Sequence, residues 1–201
     1  MVTNISQFYS SVVIDDIYSQ LINYPDTGIA FLYADYKDQS NQTLVHILGS
    51  FLRQFLNTAK EPILDEVIQK LHDIRDKGKK VETEDILALL KLQLHHLKRM
   101  FICIDAIDEL DPKVLQQLFN ALKGLVSNNT RLFFTGRSHV ESEVQKYFQV
   151  VEKNKVTISA SQQDIQEFVG KQIIDDLNPD AMDEVLAKDI VDAIIQKSQG
   201  M

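Results

Sequence analysis

Three carboxylates fall within five residues at Asp105-Ala106-Ile107-Asp108-Glu109, directly after the apolar run Phe101-Ile102-Cys103-Ile104. Such a run reads as a buried strand, and in a parallel α/β sheet ligands bind at the carboxyl ends of the strands. Asp105, at the strand tip, is placed to hold the hydration shell of a Mg²⁺ ion, and Asp108 or Glu109 could orient or deprotonate an attacking water. The competing reading is a solvated loop that caps the helix beginning near Pro112. A second tip, Thr135-Gly136-Arg137-Ser138, puts an arginine beyond a glycine at which the backbone can turn, where it can contact a terminal phosphate. Adding Asp35 to the three acids gives a further possibility, a carboxylate-dependent Mg²⁺ phosphohydrolase or nuclease.

Those acids need a scaffold, and the periodicity supplies one. Short apolar runs ending in polar turns predict strands over Ile29 to Tyr33, Met100 to Ile104 and Leu132 to Thr135, with a weaker candidate, a hairpin or a strand with a loop, over Phe148 to Ile158. Between them the period becomes helical. Leu44, Ile47, Leu48, Phe51, Leu52 and Phe55 share one face, as do Leu115, Leu118, Phe119, Leu122 and Leu125. Asp111-Pro112 places an N-cap before proline at the first helical position, and Ser161 with Asp164 three residues on marks another helix start. Further helices are predicted at about 5–22, 62–77, 84–97 and 181–198. Strands alternating with helices predict an α/β fold with a parallel sheet covered on both faces. From about residue 160 only helices follow, which predicts a second, helical subdomain; no internal repeat is visible.

Twenty-one Lys and Arg against 29 Asp and Glu leave a formal charge of −8 over 201 residues. A generally basic surface is excluded, so neither nucleic acid nor an anionic membrane is an expected partner. The single cysteine, Cys103, can form no intrachain disulfide and favours a reducing, cytoplasmic setting. It sits inside an apolar strand as an inert core thiol. No basic n-region or h-region opens the sequence, and no apolar run approaches the roughly 18 residues of a membrane span. The sequons at Asn4, Asn41 and Asn128 then read as chance matches. The five histidines show no metal-ligand spacing.

The order hydrophobic strand, Asp-Ala-Ile-Asp-Glu, helix, then a strand ending in Thr-Gly-Arg resembles the Walker B and sensor-1 portion of a NACHT-type STAND P-loop NTPase. Phe31-Leu32-Tyr33-Ala34-Asp35-Tyr36-Lys37-Asp38 and Ile47-Leu48-Gly49-Ser50-Phe51-Leu52-Arg53-Gln54 are similar to fungal NOD-like receptors and nephrocystin-3-like N-terminal domains. The resemblance covers most of the chain. It implies a signalling ATPase core that uses ATP and Mg²⁺ in an oligomerisation switch, with Asp105 on the Mg²⁺ through water, Asp108 and Glu109 as the catalytic acids, and Arg137 sensing the γ-phosphate. The partners it implies are an N-terminal effector, C-terminal ankyrin, WD or tetratricopeptide repeats, and a homotypic NACHT oligomer.

The phosphate-binding loop Gly-x-x-x-x-Gly-Lys-Ser/Thr does not occur in these residues. Gly78-Lys79-Lys80 and Gly170-Lys171-Gln172 lack the hydroxyl residue, and Asp73 and Ile165 stand where the earlier glycine is needed. Ser10 to Ile17 resembles the helix that comes after that loop in the family. The reading that results is a core over 1–158 without its phosphate loop and first strand, and over 159–201 the start of a helical subdomain. Such a chain is expected to be marginally stable and to bind ATP poorly. The alternative is a non-catalytic remnant that pairs with intact relatives.

Overall fold

The computed structural model describes residues 5–21, 24, 26–58, 63–76, 78, 80–94, 97–158, 161–174 and 183–198. They fall into two compact units, Met1–Val150 and Val151–Met201. In the first unit, α1 (Ile5–Leu21), β1 (Thr27–Tyr33), α2 (Leu44–Thr58), α3 (Ile63–Asp76), α4 (Thr83–Leu94), β2 (Arg99–Asp105), α5 (Pro112–Lys123), β3 (Thr130–Phe134) and α6 (Glu141–Tyr147) follow in order. The second unit holds α7 (Gln162–Ile174) packed on α8 (Glu184–Ser198). The fold is α/β, with a three-stranded parallel sheet in the order β1-β2-β3, consistent with a P-loop-like arrangement.

The register runs from Thr27 opposite Arg99 to Tyr33 opposite Asp105, and from Met100 opposite Thr130 to Ile104 opposite Phe134. Side chains alternate across each strand, so a sheet covered on both faces needs apolar residues at consecutive positions. Ala30, Leu32, Ile102, Ile104, Leu132 and Phe134 face a large core with Phe51 and Phe55 of α2 and Leu118 and Phe119 of α5. Ile29, Phe31, Cys103 and Phe133 face the other way, onto Ile14 and Ile17 of α1. Burial pushes the Cys103 thiol up to about 12. It stays protonated at neutral pH, the inert core thiol expected from the sequence.

The two edges of the sheet differ. On the outer side of β1, the side-chain amide of Gln54 pairs with the backbone of Phe31: Phe31 N–H donates to Gln54 Oε1 and Gln54 Nε2 donates to Phe31 C=O, both at 2.9 Å. A glutamine on α2 thus stands in for one peptide of a neighbouring strand. At β3 the ladder bonds from Met100 N–H to Asn129 C=O and from Thr135 N–H to Ile104 C=O fix which residues face β2. By alternation, the N–H and C=O of Leu132 and Phe134 point outward, where no strand pairs with them among the described residues.

Residues 148–158 do not form the fourth strand or hairpin that their valines suggested. They carry a 3-10 turn, Glu152–Asn154, and leave Val156 82% and Ile158 50% exposed. β-branched residues make a strand only where a neighbour can pair with it, and no strand among the described residues pairs here. The helix expected at 84–97 ends at Leu94, and His95 and His96 lie outside the described residues. α6, not anticipated from the sequence, packs Tyr147, with the adjoining Phe148, against Phe119.

Two side chains outside the site carry testable consequences. Gln93 on α4 is completely buried and neither amide atom has a hydrogen-bond partner among the described residues; a buried unsatisfied amide costs about 1–3 kcal/mol. Gln93→Met is therefore expected to stabilise the chain by roughly 1 kcal/mol or more, read as a raised urea midpoint at constant m-value. At the start of α7, Ser161 Oγ and N–H both donate to Asp164 Oδ2, at 2.7 and 2.9 Å. These bonds, the hydroxyl's first, hold the Asp164 carboxyl below its ordinary value. A lowered native pKa stabilises above the unfolded value and is lost as pH falls through the native one. Ser161→Ala is expected to raise the Asp164 pKa, followed by carboxyl NMR.

Candidate functional site

β2 delivers Asp105 to the end of the sheet, where it is 3% exposed. A carboxylate that deep requires hydrogen-bond donors. Two hydroxyls supply them, Ser10 Oγ from α1 and Thr135 Oγ1 from just beyond β3, both donating to Asp105 Oδ1 at 2.5 Å. The backbone of Asp105 is used as well, its C=O accepting Ala34 N–H from the end of β1 at 3.0 Å. One residue thus joins α1 and all three strand ends.

The chain leaves Asp105 through Ala106, at φ 55° and ψ 49°. A left-handed conformation costs a non-glycine residue roughly 1–2 kcal/mol. Thr135 offsets it: its Oγ1 accepts Ala106 N–H at 2.9 Å, and its C=O accepts Ile107 N–H at 2.9 Å. The next segment, the 3-10 turn Ile107–Glu109, buries Ile107 and sends the next two acids to different partners.

Asp108 faces Arg137. Its Oδ1 accepts the Arg137 backbone N–H at 3.2 Å, and its Oδ2 lies 3.4 Å from Arg137 Nε. The carboxylate is 6% exposed and the arginine side chain 78% exposed. Gly136 is required for this approach: a Cβ there would lie 2.9 Å from Ile107 Cγ1, 3.0 Å from Val140 Cγ2 and 3.3 Å from Asp108 Oδ1. Glu109 turns to the other side. Its Oε2 accepts Tyr36 N–H at 3.2 Å and its backbone C=O accepts Gln39 Nε2 at 2.8 Å, tying β2 to the 3-10 turn Tyr36–Asp38. Asp35 caps that same turn, accepting Lys37 N–H at 2.8 Å. Asp111 caps α5 as expected, through Lys113 and Val114 N–H.

Of the four residues singled out from the sequence, Asp105, Asp108 and Arg137 gather at the tips of β2 and β3, in two sets: Asp105 with Ser10 and Thr135, and Asp108 with Arg137. Glu109 and Asp35 serve the β1 loop instead. The described residues contain no group of three or more His, Cys, Asp or Glu able to hold a metal ion, so Asp35, Asp105, Asp108 and Glu109 do not form the common metal site that a phosphohydrolase working on carboxylates alone would need. Around Asp105 the donors are one carboxylate and two hydroxyls, all hard oxygens. That set suits Mg²⁺ where phosphate oxygens complete the shell.

Thr135 is the residue whose importance the structure adds. Its hydroxyl serves two partners, and its signal in the sequence was only its place two residues before Arg137. Thr135→Val, nearly equal in volume, removes the bonds to Asp105 and Ala106 together. It is expected to cost about 2–4 kcal/mol, since hydrogen bonds to charged groups are worth about 1.5–3 kcal/mol and neutral ones about 1; Thr135→Ser retains most of the stability. Chemical denaturation of the two variants checks this.

No helix among the described residues is long and apolar enough to cross a membrane. Among known proteins, the family described as "Nephrocystin 3, N-terminal" matches residues 7–137, from α1 through the Thr-Gly-Arg tip. No curated protein and no solved structure matches the chain. The matched span contains the whole sheet and both sets of site residues, and on it the chain belongs to the nephrocystin 3 N-terminal family, a NACHT-like nucleotide-binding module at the level of the family.

Proposed function

We propose that the tips of β2 and β3 form the Mg²⁺ and phosphate end of an ATP site, the Walker B and sensor-1 part of a STAND-type signalling ATPase. The observation that carries this reading is the convergence, in a member of this family, of a buried strand-tip carboxylate, Asp105, with an exposed arginine, Arg137, on the neighbouring strand's tip. A bound Mg²⁺ supplies charge neutralisation to the triphosphate. Asp105 would hold its water shell, with Ser10 and Thr135 orienting the carboxylate. Arg137 would meet the terminal phosphate, and Asp108 or Glu109 would handle the water. Both are engaged with protein partners at rest.

In the parent protein this module would act as an ATP- and Mg²⁺-dependent oligomerisation switch of the fungal NOD-like receptor type, cytoplasmic, joined to an effector and to ankyrin, WD or tetratricopeptide repeats. The 201 residues themselves hold no Gly-x-x-x-x-Gly-Lys-Ser/Thr loop, and backbone N–H groups in that loop supply most of the directional contacts to phosphate. Binding is therefore weak.

A second reading, an interaction module that pairs with intact relatives, is favoured by the outward N–H and C=O groups of Leu132 and Phe134 on β3, which contrast with the Gln54 cap on β1. An uncovered edge is a template for another strand. Titration of the chain with Mg-ATP by calorimetry or NMR, beside sedimentation of the same sample with and without nucleotide, separates the two. The expected result is ATP binding weaker than low-micromolar and dependent on Asp105. Binding in the low-micromolar range would overturn the account of the missing loop, and self-association or capture of an intact relative with no response to ATP would favour the interaction module.

A further inference from the structure

Within that ATP site, on whose assignment this inference rests, the acids after Asp105 are not equivalent. A carboxylate that takes a proton from water must present a lone pair to that water. The two oxygens of Asp108 are instead turned inward, one onto the backbone N–H of Arg137 and the other to within 3.4 Å of its Nε. The arginine is the reverse case. Its backbone N–H donates to Asp108 and its Nε lies beside the same carboxylate, while most of its side chain stands in solvent, 78% exposed against 6% for the acid. Gly136 permits this approach, since a Cβ there would crowd Ile107, Val140 and Asp108.

We propose that Asp108 is a positioning residue for Arg137: it anchors the Nε end of the guanidinium so that the outer nitrogens are presented to the terminal phosphate of a nucleoside triphosphate, and it is not the base for water. An arginine held at one end loses less freedom when its other end binds an anion. The anchor also carries a penalty, because a carboxylate beside a phosphate repels it. The two effects have opposite signs, so one substitution tells them apart. If Asp108 is only a nearby negative charge, Asp108→Asn tightens phosphate binding. If it positions Arg137, Asp108→Asn weakens it.

The test uses the full chain, with Mg-ATP and inorganic triphosphate as probes, titrated by NMR. Asp108→Asn and Arg137→Gln are each expected to weaken binding of both probes roughly tenfold, in the range usual for coupled sites. The double variant is expected to be no weaker than either single one, as for two residues acting as a unit. In the absence of any probe, the Arg137 amide and Nε resonances should shift in Asp108→Asn and stay in place in Glu109→Gln. Arg137→Lys, which keeps the charge and discards Nε, should lose as much as Arg137→Gln, and it serves if Asp108→Asn does not fold. Unchanged or tighter binding by Asp108→Asn, or additive losses in the double variant, would overturn the proposal. Failure of the wild-type chain to bind either probe at millimolar concentration would overturn the ATP reading itself, and the ligand-free resonances would then show whether the Asp108 anchor exists without it.

Discussion

A buried carboxylate has to be satisfied from every side, and in this chain that requirement organises the end of the sheet. Asp105 lies among apolar strands, where an unpaired charge would be costly. Its donors come from far away in sequence, Ser10 across 95 positions and Thr135 across 30. For both hydroxyls to arrive together, α1 must lie across β1 and β2 at one rotation, and β3 must sit in one register beside β2. The apolar contacts of Ile14, Ile29 and Cys103 favour the same arrangement but tolerate small slips. The hydroxyl–carboxylate contacts do not, because a hydrogen bond weakens steeply with misalignment.

The same constraint sets the path of the residues after Asp105. With that carboxylate fixed, the backbone must turn at once, and it does so through a left-handed alanine held by the Thr135 hydroxyl. That turn carries Asp108 to the β3 side and Glu109 to the β1 side. Three acids that read as one cluster along the sequence are therefore divided among three tasks: a buried anchor point, a partner for arginine, and a clip on the neighbouring loop. Spacing alone could not have separated them, since neighbours in a 3-10 turn project in different directions.

Legibility in the sequence tracks the range of the forces involved. The three strands stand out because burial on both faces demands unbroken apolar runs, and Ile29 to Tyr33 and Met100 to Ile104 fall inside the observed β1 and β2. The Asp111 cap of α5 and the Ser161–Asp164 start of α7 are local hydrogen bonds, legible within four residues. Asp105 and Arg137 are legible because strand tips are. Ser10 and Thr135 were not singled out as partners of Asp105, because that pairing exists only after the sheet has closed. The exposed valines of residues 148–158 misled for a related reason. Their pattern describes what a strand requires of its residues and says nothing of whether a neighbouring strand is there to pair with.

The two functional readings meet on one element. β3 carries Arg137 just past its tip and, along its outer side, the N–H and C=O groups of Leu132 and Phe134 that no strand covers among the described residues. Thr135, which positions Asp105, comes directly after Phe134. A parallel strand added to this edge would run toward the acid cluster and end beside it, since parallel strands share a direction and ligands gather at their carboxyl ends. Pairing at the edge and phosphate chemistry at the tip would then be neighbouring events on one strand. A partner that fixed the edge would also fix Thr135, and through its hydroxyl the Asp105 carboxylate and the Ala106 turn. At β1 the Gln54 amide already occupies the outward N–H and C=O of Phe31, so of the two edges β3 is the one that would accept such a strand.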